Sequence, residues 1–191
     1  MNSFKLYFST GWQHIISKEA LDHILFIAVL SAAYSFKNWK QVLILVTAFT
    51  VGHSLTLALS VYDIIRFNSR LVEFLIPCTI ILTALFNFFI KSFDTGLSRL
   101  NYCIALLFGL IHGMGFANTI RFMLAGDEAI GLPLLSFNIG LEAGQIVLVA
   151  FILLLNFIFV DKLKLNRKWW IWILSLISFM LATKMVINRW P

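Results

Sequence analysis

Histidine is the residue type whose placement in this chain points most directly to chemistry. All four lie in or beside long apolar stretches: His14, His23, His53 and His112. A polar side chain among apolar neighbours needs a partner, because burying it unpaired costs free energy. Imidazole nitrogens, together with carboxylate oxygens, are ligands for borderline-hard divalent ions such as Ni²⁺, Co²⁺ and Zn²⁺. The histidines therefore indicate a metal site.

Acids and amides accompany the histidines at spacings that suit helices. Asn138, Glu142 and Gln145 recur at i, i+4 and i+7, so they share one helix face. Asp22 directly precedes His23. Carboxylate and amide groups commonly hydrogen-bond a ligating histidine and fix its tautomer. These residues are therefore expected to bind the metal or to support its ligands.

The composition sets the environment in which these residues lie. The chain is 60% hydrophobic and 13% charged, with a mean hydropathy of +0.90. A soluble domain carries about 25% charged residues. A soluble enzyme, a nucleic-acid-binding module and a disordered chain are therefore excluded. The net charge of +6 comes from bases that lie mostly between the apolar runs, which is where membrane insertion places them.

Six apolar runs are long enough to cross a bilayer core, which takes about 20 residues per helix. We therefore predict an all-α membrane protein, a single bundle of about six transmembrane helices embedded in lipid. A semi-apolar N-terminal segment is expected to lie along the membrane interface or to fold against the bundle. The predicted spans are 20–36, 40–62, 70–92, 100–124, 132–160 and 168–187.

Depth along the predicted helices is informative. Six spans put both termini on one face, called the terminal face below. With a rise of about 1.5 Å per residue, His53, Glu142 and His112 lie about 14, 15 and 18 Å below that face. Asp22, His23 and Glu73 lie within about 5 Å of it. Polar groups from separate helices thus collect in one half of the membrane, which favours a functional site.

Each residue also has an ordinary structural explanation. A transmembrane histidine can simply hydrogen-bond to a neighbouring helix. Asp22 can cap a helix N-terminus, and Glu73 can pair with Arg70 three residues earlier. Gly109 and Gly113, four residues apart, can serve close helix packing alone. These explanations do not account for the shared depth.

The sequence resembles the HupE/UreJ family of small membrane proteins. The likeness is carried by four ordered stretches on separate predicted helices. They are His14 followed by Asp22–Phe26, then Thr47–Leu57, Phe108–Ala117 and Phe137–Gln145. One departure concerns the first stretch, where seven residues, 15–21, separate His14 from Asp22. That interval is longer than the family's pattern, so His14 reaches the site only if its segment folds back.

The resemblance implies a permease for nickel or cobalt. The implied metal-binding residues, and the residues expected to support them, fall into two sets. The candidate ligands are His14, Asp22, His23, His53, His112 and Glu142, and the supporting residues are Asn138, Gln145, Ser54, Thr50 and Glu73. The ion is expected to be Ni²⁺, Co²⁺ or Zn²⁺, either as cargo or as a resident ion.

Two other functions stay open from the sequence. The first is an intramembrane zinc hydrolase acting on a lipid or envelope substrate, with Ser54 beside the histidines. The second is a non-catalytic membrane subunit with a structural polar cluster. The densest bases, Lys162 to Lys168, lie between the last two spans. They favour a cytoplasmic position for that loop and an outer position for both termini in a bacterial inner membrane. A homo-oligomer is left open.

Overall fold

The computed structural model describes residues 3–17, 20–89, 99–124 and 130–191. The elements found within these ranges are all helical, and the all-α prediction is confirmed. Seven α-helices follow in chain order: α1 Ser3–Ile16, α2 Leu21–Ala32, α3 Trp39–Val61, α4 Ser69–Phe89, α5 Arg99–Leu124, α6 Gly131–Asn156 and α7 Arg167–Asn188. A 3₁₀ turn, Phe36–Asn38, leads into α3, and a π-helical stretch, Phe157–Lys162, extends α6.

Five of the described helical segments are long and apolar enough to cross a membrane. They are Phe36–Val61, Ser69–Phe89, Asn101–Leu124, Gly131–Lys162 and Arg167–Asn188. They coincide, to within a few residues at each end, with the last five predicted spans. The end of the predicted run 70–92 lies outside the described residues. The chain is therefore an integral membrane protein.

The first predicted span, 20–36, is shorter in the structure. α2 has 12 residues, which give a length of about 18 Å against a bilayer core of about 30 Å. The helix ends early because polar side chains form a turn after it. Ser35 donates a hydrogen bond to Asn38 Oδ1, and Asn38 donates one to Gln41. α2 alone is too short to cross the membrane.

α2 lies antiparallel to α7, so contacts with the two ends of α7 show how deep α2 lies in the bundle. Arg189, just after α7, pairs with Asp22 at 2.9 Å, near the start of α2. Arg167, the first residue of α7, donates to the Ala33 carbonyl at 2.8 Å, just beyond the end of α2. The two arginines thus reach inward from opposite ends of the bundle. α2 covers the membrane from below Asp22 to the face opposite the termini.

α1 supplies the remaining part of this first crossing. The Tyr7 hydroxyl donates to the Met123 carbonyl, near the end of α5 on the terminal face. Ile15, at the other end of α1, is fully buried. Of the two placements expected for the N-terminal segment, the structure has the second, in which it folds against the bundle. α1 and α2 together form one interrupted crossing with its break between residues 16 and 21.

The α3–α5 seam brings two long helices into backbone contact. A Cβ atom added at Gly52 or Gly109 would overlap a backbone carbonyl of the opposite helix. One added at Gly113 would overlap the carbonyl of His53. Small residues permit such close approach, and packing drives association in lipid. This seam fixes His53 and His112 relative to each other.

The α1–α6 seam uses the same device on a shorter helix. An added Cβ at Gly11 or Gly140 would overlap a backbone carbonyl across the seam. One at Gly144 would lie 3.1 Å from Ile15 Cβ. The glycines therefore hold α1 against α6 at the depth where α1 ends. This packing carries His14 into the bundle.

Candidate metal site

Three histidines from three helices meet at the break between α1 and α2. His14 lies in the last turn of α1, His23 in the first turn of α2, and His53 on α3. One ligand nitrogen from each can be chosen so that all three lie within 4.8 Å of one another. The ring centroids of His14 and His23 are 4.7 Å apart. This arrangement, called the histidine trio below, has the ligand type and spacing that a transition-metal ion requires.

Ring nitrogens of the trio are buried without partners. His14 Nε2, His23 Nε2 and both nitrogens of His53 have no hydrogen-bond partner among the described residues. Leaving a buried polar atom unsatisfied costs about 1–3 kcal/mol. A cation that accepts the free lone pairs removes that cost, whereas an apolar side chain cannot. The buried nitrogens therefore fit a metal-binding role.

His112 stands next to the trio in a defined tautomer. Its ring centroid is 5.1 Å from that of His23, and its Nε2 lies 3.0 Å from Thr79 Oγ1. The Thr79 hydroxyl donates its single proton to the Ile76 carbonyl at 2.7 Å. The hydroxyl oxygen must then accept a proton from His112 Nε2. The network thus assigns the lone pair to His112 Nδ1, which is buried without a partner.

Aromatic rings pack against the histidines, and one of them, Phe116, also lines a cavity beside them. The Phe116 ring lies 4.1 Å from the His14 ring, and Phe137 stacks on Phe116 at 5.2 Å. Phe49 lies 5.1 Å from the His112 ring. Such apolar walls lower the local dielectric constant and strengthen the attraction between a cation and the electron-rich ligand atoms.

A cavity of about 240 Å³ on the terminal face leads to the histidines. Three of the four histidines line it; His53 is the exception. Asp22, Glu73 and Arg189 form its outer part, and Ser17 and Ala20 line it at the helix break. The cavity therefore connects the helix break with the face at which α7 ends.

A comparison with protein families identifies the family of this chain over nearly its full length. A family model described as HupE / UreJ protein matches residues 1–189. This chain belongs to the HupE/UreJ family. No curated protein and no solved structure matches it. The resemblance recognised in four stretches thus extends over nearly the full length.

Asp22 of this family member lies beside the trio rather than in it. Its Oδ2 pairs with Arg189 Nη1 at 2.9 Å, while its Oδ1 is buried without a partner. Glu73 lines the outer cavity and is exposed. The Glu73–Arg70 pair that the spacing allowed is not among the ion pairs of the described residues. Both acids therefore lie nearer the terminal face than the histidines.

Glu142 and Gln145 face α3 at a second polar contact. Thr47 donates to Glu142 Oε1 at 2.9 Å, and Thr50 donates to Gln145 Oε1 at 2.6 Å. Glu142 does not line the cavity and does not join the three grouped histidines. Its expected role as a ligand stays a prediction. The contact lies about one to two helical turns along α3 from His53.

Two of the residues expected to support the ligands do not line the cavity. Asn138 is half-buried with its Oδ1 unpartnered, and it follows Phe137, which packs near His14. Ser54 does not line the cavity.

Sequence reasoning missed Thr79 and Arg189. Thr79 lies in an apolar span where no pattern marks it, and Arg189 lies just beyond the end of the last predicted span.

Proposed function

We propose that this protein is a permease for a divalent transition-metal ion, nickel or cobalt above all. The observation that carries the proposal is the histidine trio, whose ligand nitrogens lie within 4.8 Å of one another inside a membrane bundle. The family match supports the same substrate class. Imidazole suits Ni²⁺, Co²⁺ and Zn²⁺, and the trio has no thiolate that would favour Cu⁺.

The interrupted first crossing suits transport better than a permanent metal site. Many transporters bind their substrate at discontinuous helices near the membrane midplane. Here α1 packs on α6, whereas α2 lies against α7, α4 and α6. A shift of α1 relative to α2 separates His14 from His23 and weakens the hold on the ion. Protons compete with the metal for the same lone pairs, so acid also promotes release.

Placement in the cell follows from charge. The segment 162–168, between the end of the π-helical stretch and the start of α7, lies opposite the terminal face and holds the densest cluster of bases in the sequence. The positive-inside rule favours a cytoplasmic position for that segment in a bacterial inner membrane. The cavity then opens outward, towards the periplasm, which is the direction that uptake requires.

Cellular metal accumulation tests the proposal. Cells that express the wild type should accumulate Ni²⁺ or Co²⁺, and His14→Ala, His23→Ala and His53→Ala should each lower accumulation about tenfold or more, the scale of a lost ligand contact. Gln13→Ala is the matched control, because Gln13 is the exposed neighbour of His14 on the same helix. Membrane abundance is measured for every variant. Equal accumulation by wild type and histidine variants contradicts the proposal.

A zinc-dependent hydrolase is the second candidate, and the ligand set favours it. Three histidines with an open position hold catalytic zinc in known enzymes, and carboxylates near them act as general bases. Asp22 and Glu73 line the cavity, whereas Ser54 does not. Turnover of a fluorogenic lipid ester by detergent-purified protein, lost in His53→Ala, supports this candidate. Accumulation without turnover excludes it.

A further inference from the structure

A guanidinium group occupies the mouth of the cavity. Arg189 Nη1 lies 2.9 Å from Asp22 Oδ2 and 3.5 Å from the backbone carbonyl oxygen of Glu73. All three residues line the cavity that leads to His14 and His23. A positive charge of the protein itself therefore lies on the path between the terminal face and the histidine trio.

Two oxygen atoms near this guanidinium have no hydrogen-bond donor from the helices around them. Pro77 lies inside α4, four residues after Glu73, and a proline has no N–H to donate. The Glu73 carbonyl consequently lacks its helical donor and faces Arg189 instead. Asp22 Oδ1 is buried and has no partner. A carboxylate and a freed carbonyl are thus directed at one position.

We propose that these oxygens form an outer cation subsite, in which Arg189 holds the place of a hydrated divalent ion. The inference rests on the proposed function above. Carboxylate and carbonyl oxygens suit an ion that keeps part of its hydration shell, whereas the imidazole nitrogens of the histidine trio suit an ion that has lost that water. The ion displaces Arg189 from Asp22, rests at the outer oxygens, and then passes inward to the histidines.

Arg189 is placed to leave without disturbing the bundle. Its backbone N–H caps the end of α7 through the Met185 carbonyl, and Trp190 packs edge-on against Phe74 at 5.2 Å. The Arg189 side chain is 31% exposed, so it can rotate into water while its backbone stays in place. Displacement therefore needs a side-chain rotation rather than a helix movement.

The proposal predicts the sign of a charge deletion. The guanidinium neutralises Asp22, and while it contacts the outer oxygens a divalent ion cannot bind there. Arg189→Gln should therefore tighten Ni²⁺ or Co²⁺ binding about tenfold, although it removes a contact of the folded protein. In an Asp22→Asn background the same substitution should change affinity less than about twofold, because the freed carboxylate is gone.

Equilibrium dialysis of the purified full chain in lipid nanodiscs against NiCl₂ or CoCl₂ measures these affinities. The control is Arg66→Gln, which deletes an arginine that pairs with Asp63 at 2.6 Å and does not line the cavity. It should leave the Kd within about twofold of wild type. A Kd of Arg189→Gln that equals that of Arg66→Gln overturns the proposal. A gain that persists fully in Asp22→Asn also overturns it.

A second variant covers the case in which Arg189→Gln fails to fold. Arg189→Lys keeps the charge, but its ammonium nitrogen ends one bond short of the position of Nη1, the atom that contacts both oxygens, so it should hold them less closely. It should bind Ni²⁺ more tightly than wild type, and an unchanged Kd contradicts the outer subsite. His53→Ala separates the two proposals. If it binds metal as wild type does, the proposed function fails; if it loses binding while Arg189 variants do nothing, only the outer subsite fails.

Discussion

The α3–α5 and α1–α6 seams use the same glycine packing and differ in what they attach. The first joins helices of 23 and 26 residues and carries His53 and His112. The second joins a helix of 14 residues to one of 26 and carries His14. Close backbone contact along two long helices holds both helices, and the histidines on them, in fixed positions. The same contact on a short helix that ends inside the membrane is less extensive, so α1 can move away from the rest of the site.

The largest expected effect comes from breaking the fixed seam. Gly109→Ala places a methyl group against the Phe49 carbonyl, where neither backbone can move aside. We expect a loss of about 2 kcal/mol or more of stability and little folded protein. Size-exclusion chromatography and thermal unfolding of purified protein measure this. Gly131→Ala is the control, because no atom lies within 4 Å of its added Cβ.

Breaking the second seam should separate metal binding from folding. Gly140→Ala places a methyl group against the Phe8 carbonyl, which displaces α1 but leaves the α3–α5 seam intact. We expect a folded yield near that of wild type and Ni²⁺ binding about tenfold weaker, since His14 moves away. Folded yield and Kd are measured on the same preparation. Unfolding as severe as that of Gly109→Ala would show that the two seams do not differ.

A smaller effect should follow from releasing His112 within the fixed seam. Thr79→Val removes the hydroxyl that accepts from His112 Nε2, so the ring loses its assigned tautomer. We expect Co²⁺ affinity to fall severalfold, towards the low end of about 10–100-fold seen for such partners. The absorption spectrum of bound Co²⁺ should shift as well. Thr79→Ser should restore both, and a Ser variant that behaves like Val contradicts this role.

The smallest effect is expected at an exposed ion pair at the end of the α3–α5 seam, where Asp63 pairs with Arg66 and also lies 3.3 Å from Arg121. The hydrogen bond from the Arg66 guanidinium lowers the pKa of the Asp63 carboxyl, and both groups are exposed to solvent. A lowered folded-state pKa stabilises the protein above the ordinary carboxyl range, and that contribution is lost as pH falls through it. Because water screens the pair, Asp63→Asn should hardly change the unfolding temperature at neutral pH. A large decrease would assign stability to the surface instead of the seams.

The last five crossings were predictable because each is a long apolar run. The first was predicted as the single span 20–36, whereas two short helices, α1 and α2, make this crossing together. The sequence between them includes Lys18 and Glu19. Hydropathy gives no information on whether two short helices continue one another. The contacts of Arg167 and Arg189 with α2 supply it.

The site was predictable in its residue types and less so in its grouping. Depth and residue type identified His23, His53 and His112, whereas His14 was a candidate by its residue type and by the family resemblance. The structure brings the four rings together. Whether Asp22 and Glu142 also bind the ion stays a prediction, because helix rise gives the depth of a side chain but not its direction across the bundle. Thr79 and Arg189 depend on pairings between helices distant in sequence, which no local pattern specifies.

The most direct test of the central claim is the amount of Ni²⁺ or Co²⁺ bound by purified protein. Wild type is compared with His14→Ala, His23→Ala and His53→Ala, and with the neighbouring control Gln13→Ala. A single shared site predicts one ion per chain in wild type and Gln13→Ala, and loss of that ion in each histidine variant. An ion retained in any one of the three, or no ion in folded wild type, would contradict a site built from the trio.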